Sequence, residues 1–204
     1  MNKEKIPFVS GVIMIINLIV FFYMEISGST LDFVFLLKNG ALSFESFFVN
    51  NNYYCVITHM FLHSGVEHLM YNMFLLIVVG YYMEKIIGRV WYALIYIFSG
   101  VFAGFMSMAW EFYTKDYSIS VGASGAVYGV SGALFAVILC DDKLIKEIGI
   151  GRLALFLFFM LYVGSVQEDV NYVAHIAGFI FGCVMTCLLI WFNKIRKGKR
   201  GIED

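Results

Sequence analysis

All four histidines fall in two places: His59, His63 and His68 lie within THMFLHSGVEHLMYN, and His175 stands alone in YVAHIAGF. Asn72 follows His68 by four residues, which on a helix sets both side chains on one face a turn apart. Ser124 lies between Gly122 and Gly125 in SVGASGAVYG. A serine needs a base to become a nucleophile, and an imidazole titrating near neutrality suits that task. At a helix start the serine also has backbone N–H groups beside it that lack helical acceptors. With His68 and Asn72 as further donors, the parts of an oxyanion hole are present. Together these residue types point to acyl transfer by a Ser124–His175 dyad. No Asp or Glu is evidently placed to orient His175, since Glu168 and Asp169 precede its helix and serve equally well as caps. Gly122 and Tyr128 flank the serine and are expected to line the substrate position. Tyr128, one turn below Ser124, either holds the imidazole ring or is an ordinary core aromatic.

Other chemistries fit these residues less well. Small residues at four-residue spacing let transmembrane helices approach closely, so Gly125 with Gly129, and Gly178 with Gly182, read as packing pairs. Packing leaves His175 unexplained, and close approach is also what would bring a serine hydroxyl near an imidazole. His59 and His63 are four apart and could hold Zn²⁺ on a helix, but the pair lacks the Glu of an H-E-x-x-H motif. Those two histidines more simply pack the long first loop, so no metal or cofactor is expected. Cys55, Cys140, Cys183 and Cys187 are too dispersed for a disulfide framework or a zinc site.

The elements that must position these residues are set by composition. Of 204 residues 61% are apolar and 29 carry a charge. That excludes an ordinary water-soluble domain, a disordered chain and a nucleic-acid binder. At roughly 20 apolar residues per span, six helices would consume nearly the whole apolar complement. The runs lie at about 7–26, 67–83, 90–110, 120–140, 153–167 and 170–192. With the N-terminus inside, Lys3, Lys5, Lys85, Arg89, Lys143, Lys146, Arg152, Lys194, Arg196, Lys197, Lys199 and Arg200 are all cytoplasmic, leaving only Lys38 and Lys115 outside. A net charge of −1 thus conceals a strongly polarised molecule with both termini inside. Ser124, His68 and His175 then share one depth, each within roughly 10 Å of the outer end of its helix. The first loop, about residues 27–62, is long and aromatic, which fits either an interfacial belt or a scaffold for the site.

These features resemble the rhomboid family of intramembrane serine proteases. The resemblance rests on His68-x-x-x-Asn72, Gly122-Ala-Ser124-Gly125, Ala174-His175-x-x-Gly178-x-x-x-Gly182 and Gly80-x-x-x-Glu84-x-x-x-Gly88, in the expected spans, order and orientation. It implies an all-α, six-helix polytopic bundle in which residues 1–204 form a single membrane domain. It further implies that Ser124 is the nucleophile, His175 the general base and acid, and His68 and Asn72 oxyanion stabilisers together with the Ser124 N–H. Substrates would be single-span membrane proteins in the lipid bilayer, cut near the outer face and entering beside the fifth span, and Glu84 would be structural. The sequence departs from the family in the first loop, where Tyr54-Cys55 replaces a frequent Trp-Arg pair. A catalytically inactive rhomboid-like chaperone or trafficking factor would share the fold, though such relatives usually lose the serine or histidine. A transporter or channel is disfavoured because no inverted repeat is visible and the charges lie at the span ends. No targeting presequence is visible, and the layout resembles the simple bacterial form, which favours a bacterial cell membrane.

Overall fold

Backbone polar groups in a bilayer must find partners within the protein, so apolar segments form helices there. A computed structural model describes residues 7–141, 145, 146, 149–166 and 171–200. In chain order the helices are α1 (Phe8–Ser27), α2 (Phe33–Lys38), α3 (Cys55–Thr58), α4 (Gly65–Leu75), α5 (Tyr81–Ile87), α6 (Arg89–Thr114), α7 (Ser124–Cys140), α8 (Ile150–Val166) and α9 (Tyr172–Arg200). A π-helical turn, Leu76–Gly80, joins α4 to α5 as one rod, and a second π turn, Glu45–Val49, lies in the first loop. The sole extended pairing among the described residues is an isolated antiparallel bridge, Leu42 with Ser120. The protein is an all-α membrane bundle.

Among the described residues four rods are long and apolar enough to cross a membrane: Phe8–Ser27, Gly65–Ile87, Arg89–Thr114 and Tyr172–Phe192. Helices α7 and α8 have 17 residues each, at the short end of the roughly 17–25 residues that span a bilayer. The fourth apolar run becomes helical only at Ser124, because residues 120–123 are extended and turned before it. The second and third rods extend beyond their expected ends, so Glu111 falls inside α6. Lys3, Lys5, Lys143, Glu168 and Asp169 lie outside the described residues, as do the side chains of the basic residues from Lys194 to Arg200.

Helix α7 is buried on nearly every side, as expected of a helix apolar all round. It packs between α6 and α9, and glycine makes that possible. A Cβ on Gly178 would strike the Gly125 carbonyl, one on Gly182 the Gly129 carbonyl, and one on Gly132 the Phe179 carbonyl. On the other side, Gly125 meets the Ala103 Cβ and Gly129 meets Ser99. The two packing pairs read from the sequence therefore meet each other, and because both contacts advance together the helices run parallel.

At the opposite end from Ser124, one carboxylate ties two rods together. Glu84 of α5 accepts the backbone N–H groups of Phe8, Val9 and Ser10 at 2.8–2.9 Å and the Ser10 hydroxyl at 2.9 Å. These are the N–H groups that the first turn of α1 cannot satisfy itself, and Pro7 supplies no side-chain cap. Arg89, 3.7 Å from Glu84, lies over the Phe8 ring. Glu84→Ala is therefore expected to destabilise the fold by about 3 kcal/mol or more, since it strips several charge-assisted hydrogen bonds at once. Thermal unfolding in detergent checks this, with Glu84→Gln falling between the two.

Candidate active site

Ser124 is the first residue of α7, and what fixes it is the segment just before it. Ser120 pairs with Leu42 through two backbone hydrogen bonds of 2.7 and 3.0 Å, Gly122 donates its N–H to the His59 carbonyl at 2.9 Å, and Ala123 donates to His63 Nε2 at 3.5 Å. The first loop is thus a scaffold gripping the four residues that lead into Ser124. Its aromatics pack onto α6, with Phe44 stacked on Phe112 and Phe47 edge-on to Phe105. Where the family often carries Trp-Arg, Tyr54 is exposed and Cys55 is buried. Beside them the Thr58 hydroxyl donates to the Gly40 carbonyl at 2.7 Å, closing the loop on itself.

Gly122 has φ +109°, a conformation that L side chains rarely adopt. A Cβ there would also lie 2.6 Å from His68 Nε2 and 3.7 Å from Asn72 Nδ2. His68 and Asn72 therefore sit against the backbone two residues ahead of Ser124. The Asn72 amide donates to the His68 carbonyl at 2.9 Å, and the His63 ring lies edge-on to His68 with centroids 5.2 Å apart.

His175 enters from α9. At 1.5 Å rise per residue it sits about 4.5 Å above the Gly178–Gly125 contact, and Ser124 about 1.5 Å above it. The imidazole stacks on the Tyr128 ring, centroids 4.1 Å apart and planes 8° from parallel. Tyr128 is itself pinned by its hydroxyl, which donates to the Met160 carbonyl of α8 at 2.6 Å. No hydrogen bond joins the Ser124 hydroxyl to His175 among the described residues; nucleophile–base contacts commonly tighten only with substrate in place. A cavity opens beside Ser124, lined by Gly122, Gly125, Gly100, Ala103, Ser120 and Asn171 among others. Among the described residues no three His, Cys, Asp or Glu side chains converge as metal ligands. His59 instead turns Nδ1 to the Cys55 carbonyl at 2.9 Å and lies against Gly104.

The structure also reveals a polar chain that the sequence reading missed. Glu111, 2% exposed, accepts from the Phe44 N–H and the Ser107 hydroxyl at 3.3 Å each. The Ser107 and Ser120 hydroxyls are 3.0 Å apart, and Asn171 reaches both. Ser107 and Glu111 are four residues apart, a spacing that could have drawn attention had the third span not been ended at residue 110.

The sequence model of the Rhomboid domain matches residues 50–192. The chain therefore belongs to the rhomboid family. It is 35% identical over 167 residues to "RHOMBOID-like protein 6, mitochondrial" of Arabidopsis thaliana, covering 80% of this chain and 51% of that one. To "Rhomboid protease GluP" of Bacillus subtilis (strain 168) it is 29% identical, covering 82% of this chain and 32% of the relative. To "Rhomboid protease AarA" of Providencia stuartii it is 27% identical, covering 92% and 76%. The chain thus spans about half the length of the plant relative and a third of GluP.

His59 and His63 belong to the loop, and burial pushes them from the ordinary 6.5 down to about 4 and about 3. Well above pH 6.5 neither state binds a proton at these rings and folding keeps its full stability. As pH falls toward 4 the unfolded chain takes up protons that the folded one refuses, at a cost of about 1.4 kcal/mol per ring and pH unit. Thermal midpoints should therefore drop on acidification from pH 7 to pH 5, and less steeply in His59→Gln. Equal slopes in wild type and variant would assign the pH dependence to other groups.

Proposed function

We propose that this protein is an intramembrane serine endopeptidase that cleaves transmembrane segments of membrane proteins near the outer face of the bilayer. The reading is carried by one observation: glycine contacts hold α7 close against α9, and the His175 ring of α9 stacks on Tyr128, four residues after Ser124 on α7. Supporting it are the family, the position of His68 and Asn72 against Gly122, and relatives whose names are those of proteases.

In this mechanism His175 takes the Ser124 hydroxyl proton as Oγ attacks the scissile carbonyl carbon. Negative charge gathers on the carbonyl oxygen, where the Ser124 N–H, His68 and Asn72 stabilise it. His175 then gives its proton to the leaving amine, and the acyl-enzyme is released by water that the same imidazole activates. A carboxylate usually orients the imidazole in such sites. Here Tyr128 holds the ring plane by stacking, so the pair works as a dyad. Gly122, lacking a side chain, lets His68 close against the backbone and lines the cavity beside Ser124 where a substrate backbone would lie, with Tyr128 on the His175 side. We read residues 1–204 as one membrane domain of six spans with both termini cytoplasmic, a layout that suits a bacterial cell membrane. The basic residues support that orientation: Lys85 and Arg89 lie at the end opposite Ser124, Lys38 and Lys115 near it.

Purified protein in liposomes should cut a single-span substrate, while Ser124→Ala and His175→Ala each abolish cleavage without unfolding. Cleavage that survives both substitutions would sink the dyad. A fluorophosphonate should label Ser124, and metal chelators should leave the rate unchanged. Asn72→Ala should slow the chemistry without stopping it, by less than the roughly 3–4 kcal/mol of a lone oxyanion donor. Wild type that binds transmembrane segments yet cuts none of a broad panel would favour the inactive chaperone instead.

A further inference from the structure

We propose that Asn171 is a positioning residue for His175, fixing how the first turn of α9 sits against the segment that leads into Ser124; this rests on the protease reading above. Asn171 immediately precedes α9, and its Oδ1 accepts the Ala174 N–H at 3.0 Å, capping the helix start. Its main-chain carbonyl takes the N–H of His175 itself at 3.2 Å. The other end of the side chain is clamped. Nδ2 donates to Ser107 Oγ of α6 at 2.5 Å and to Ser120 Oγ, four residues before Ser124, at 3.0 Å.

A primary amide carries one acceptor and two donors on a single planar group, and Asn171 uses all three. The arrangement is directional. The Ser107 hydroxyl proton goes to Glu111, so the Ser107 oxygen is left to receive donors from Asn171 and Ser120. Through Glu111 the same chain reaches the Phe44 N–H of the first loop. One side chain thus joins the helix of the base, the segment of the nucleophile and the helix behind both.

The remaining contacts do not supply this constraint. Glycine contacts set the separation of α7 and α9, and Tyr128 sets the plane of the imidazole. With no hydrogen bond between Ser124 and His175 at rest, the rotation and height of the α9 start decide whether they meet. A misplacement on the order of 1 Å is enough to slow chemistry about a hundredfold.

Asn171→Asp separates the two halves of the role, because aspartate is nearly isosteric and remains a good cap but offers no N–H to the serines. In liposomes with a transmembrane substrate, kcat should fall about tenfold or more while KM stays within about twofold, and fluorophosphonate labelling of Ser124 should slow with kcat. The thermal midpoint should stay close to that of wild type. Ser120→Ala, which removes one anchor of the clamp and leaves the cap, should reproduce the kcat effect in milder form and should not add to Asn171→Asp. If Asn171→Asp fails to fold, Ser120→Ala decides by the same kcat and KM readout. Unchanged kcat in the folded variants, in an assay where Ser124→Ala is inactive, overturns the positioning role, as does a loss of activity that only follows the thermal midpoint. Cleavage by Ser124→Ala overturns the protease reading and this proposal with it.

Discussion

The contact on which the rest of the molecule depends is between backbones: Gly178 lies on the Gly125 carbonyl and Gly182 on the Gly129 carbonyl. Within lipid there is no hydrophobic gain from bringing two apolar helices together, so dispersion at very short range and well-fitted surfaces must do it. Side chains would hold the axes apart by the width of a methyl group or more. Their absence lets the helix that starts at Ser124 lie close against the helix that carries His175. The cost is that the interface cannot yield, because the atoms a Cβ would strike are carbonyls and not the ends of flexible side chains.

Around this fixed pair the molecule arranges parts that would otherwise be loose. A side chain at the first residue of a helix, as Ser124 is, inherits the uncertainty of the chain before it. Here that chain is held by backbone pairing to Leu42, by the His59 carbonyl and by the His63 ring. The long first loop is therefore less an appendage than the wall against which residues 120–123 are set. Its aromatic surface still faces outward, with Phe48 and Tyr53 exposed. Belt and scaffold are two faces of one structure.

Much of this was legible in the residues. Apolar run length gave the rods, since each must satisfy its own backbone. Polar residues in an apolar chain pointed to His68, Asn72, Ser124 and His175 as candidates, and the fold sets His68 and Asn72 against Gly122 and His175 against Tyr128. Less legible was whatever depended on contacts across long sequence separations. Tyr128 beside His175 had two equal readings until the rings were seen stacked. Glu111 lies one residue past the expected end of the third span, and α6 continuing to Thr114 carries it into the helix, where it is buried. Asn171 and Ser120 look like ordinary punctuation at the ends of apolar runs. Only the fold reveals that such residues from three elements close one chain of hydrogen bonds.

The π-helical turn between α4 and α5 bears on how the family motifs should be counted. Asn72 and Glu84 are twelve residues apart, which on a regular α-helix would set them about a third of a turn out of line. The wider turn at Leu76–Gly80 absorbs an extra residue and swings the two back toward a common side. Both are in fact buried, one near Gly122 and the other against the start of α1. The irregularity acts as a phase corrector: it lets one rod address the core at both membrane faces, and the spacing between the two motifs encodes a helix that is not uniformly wound.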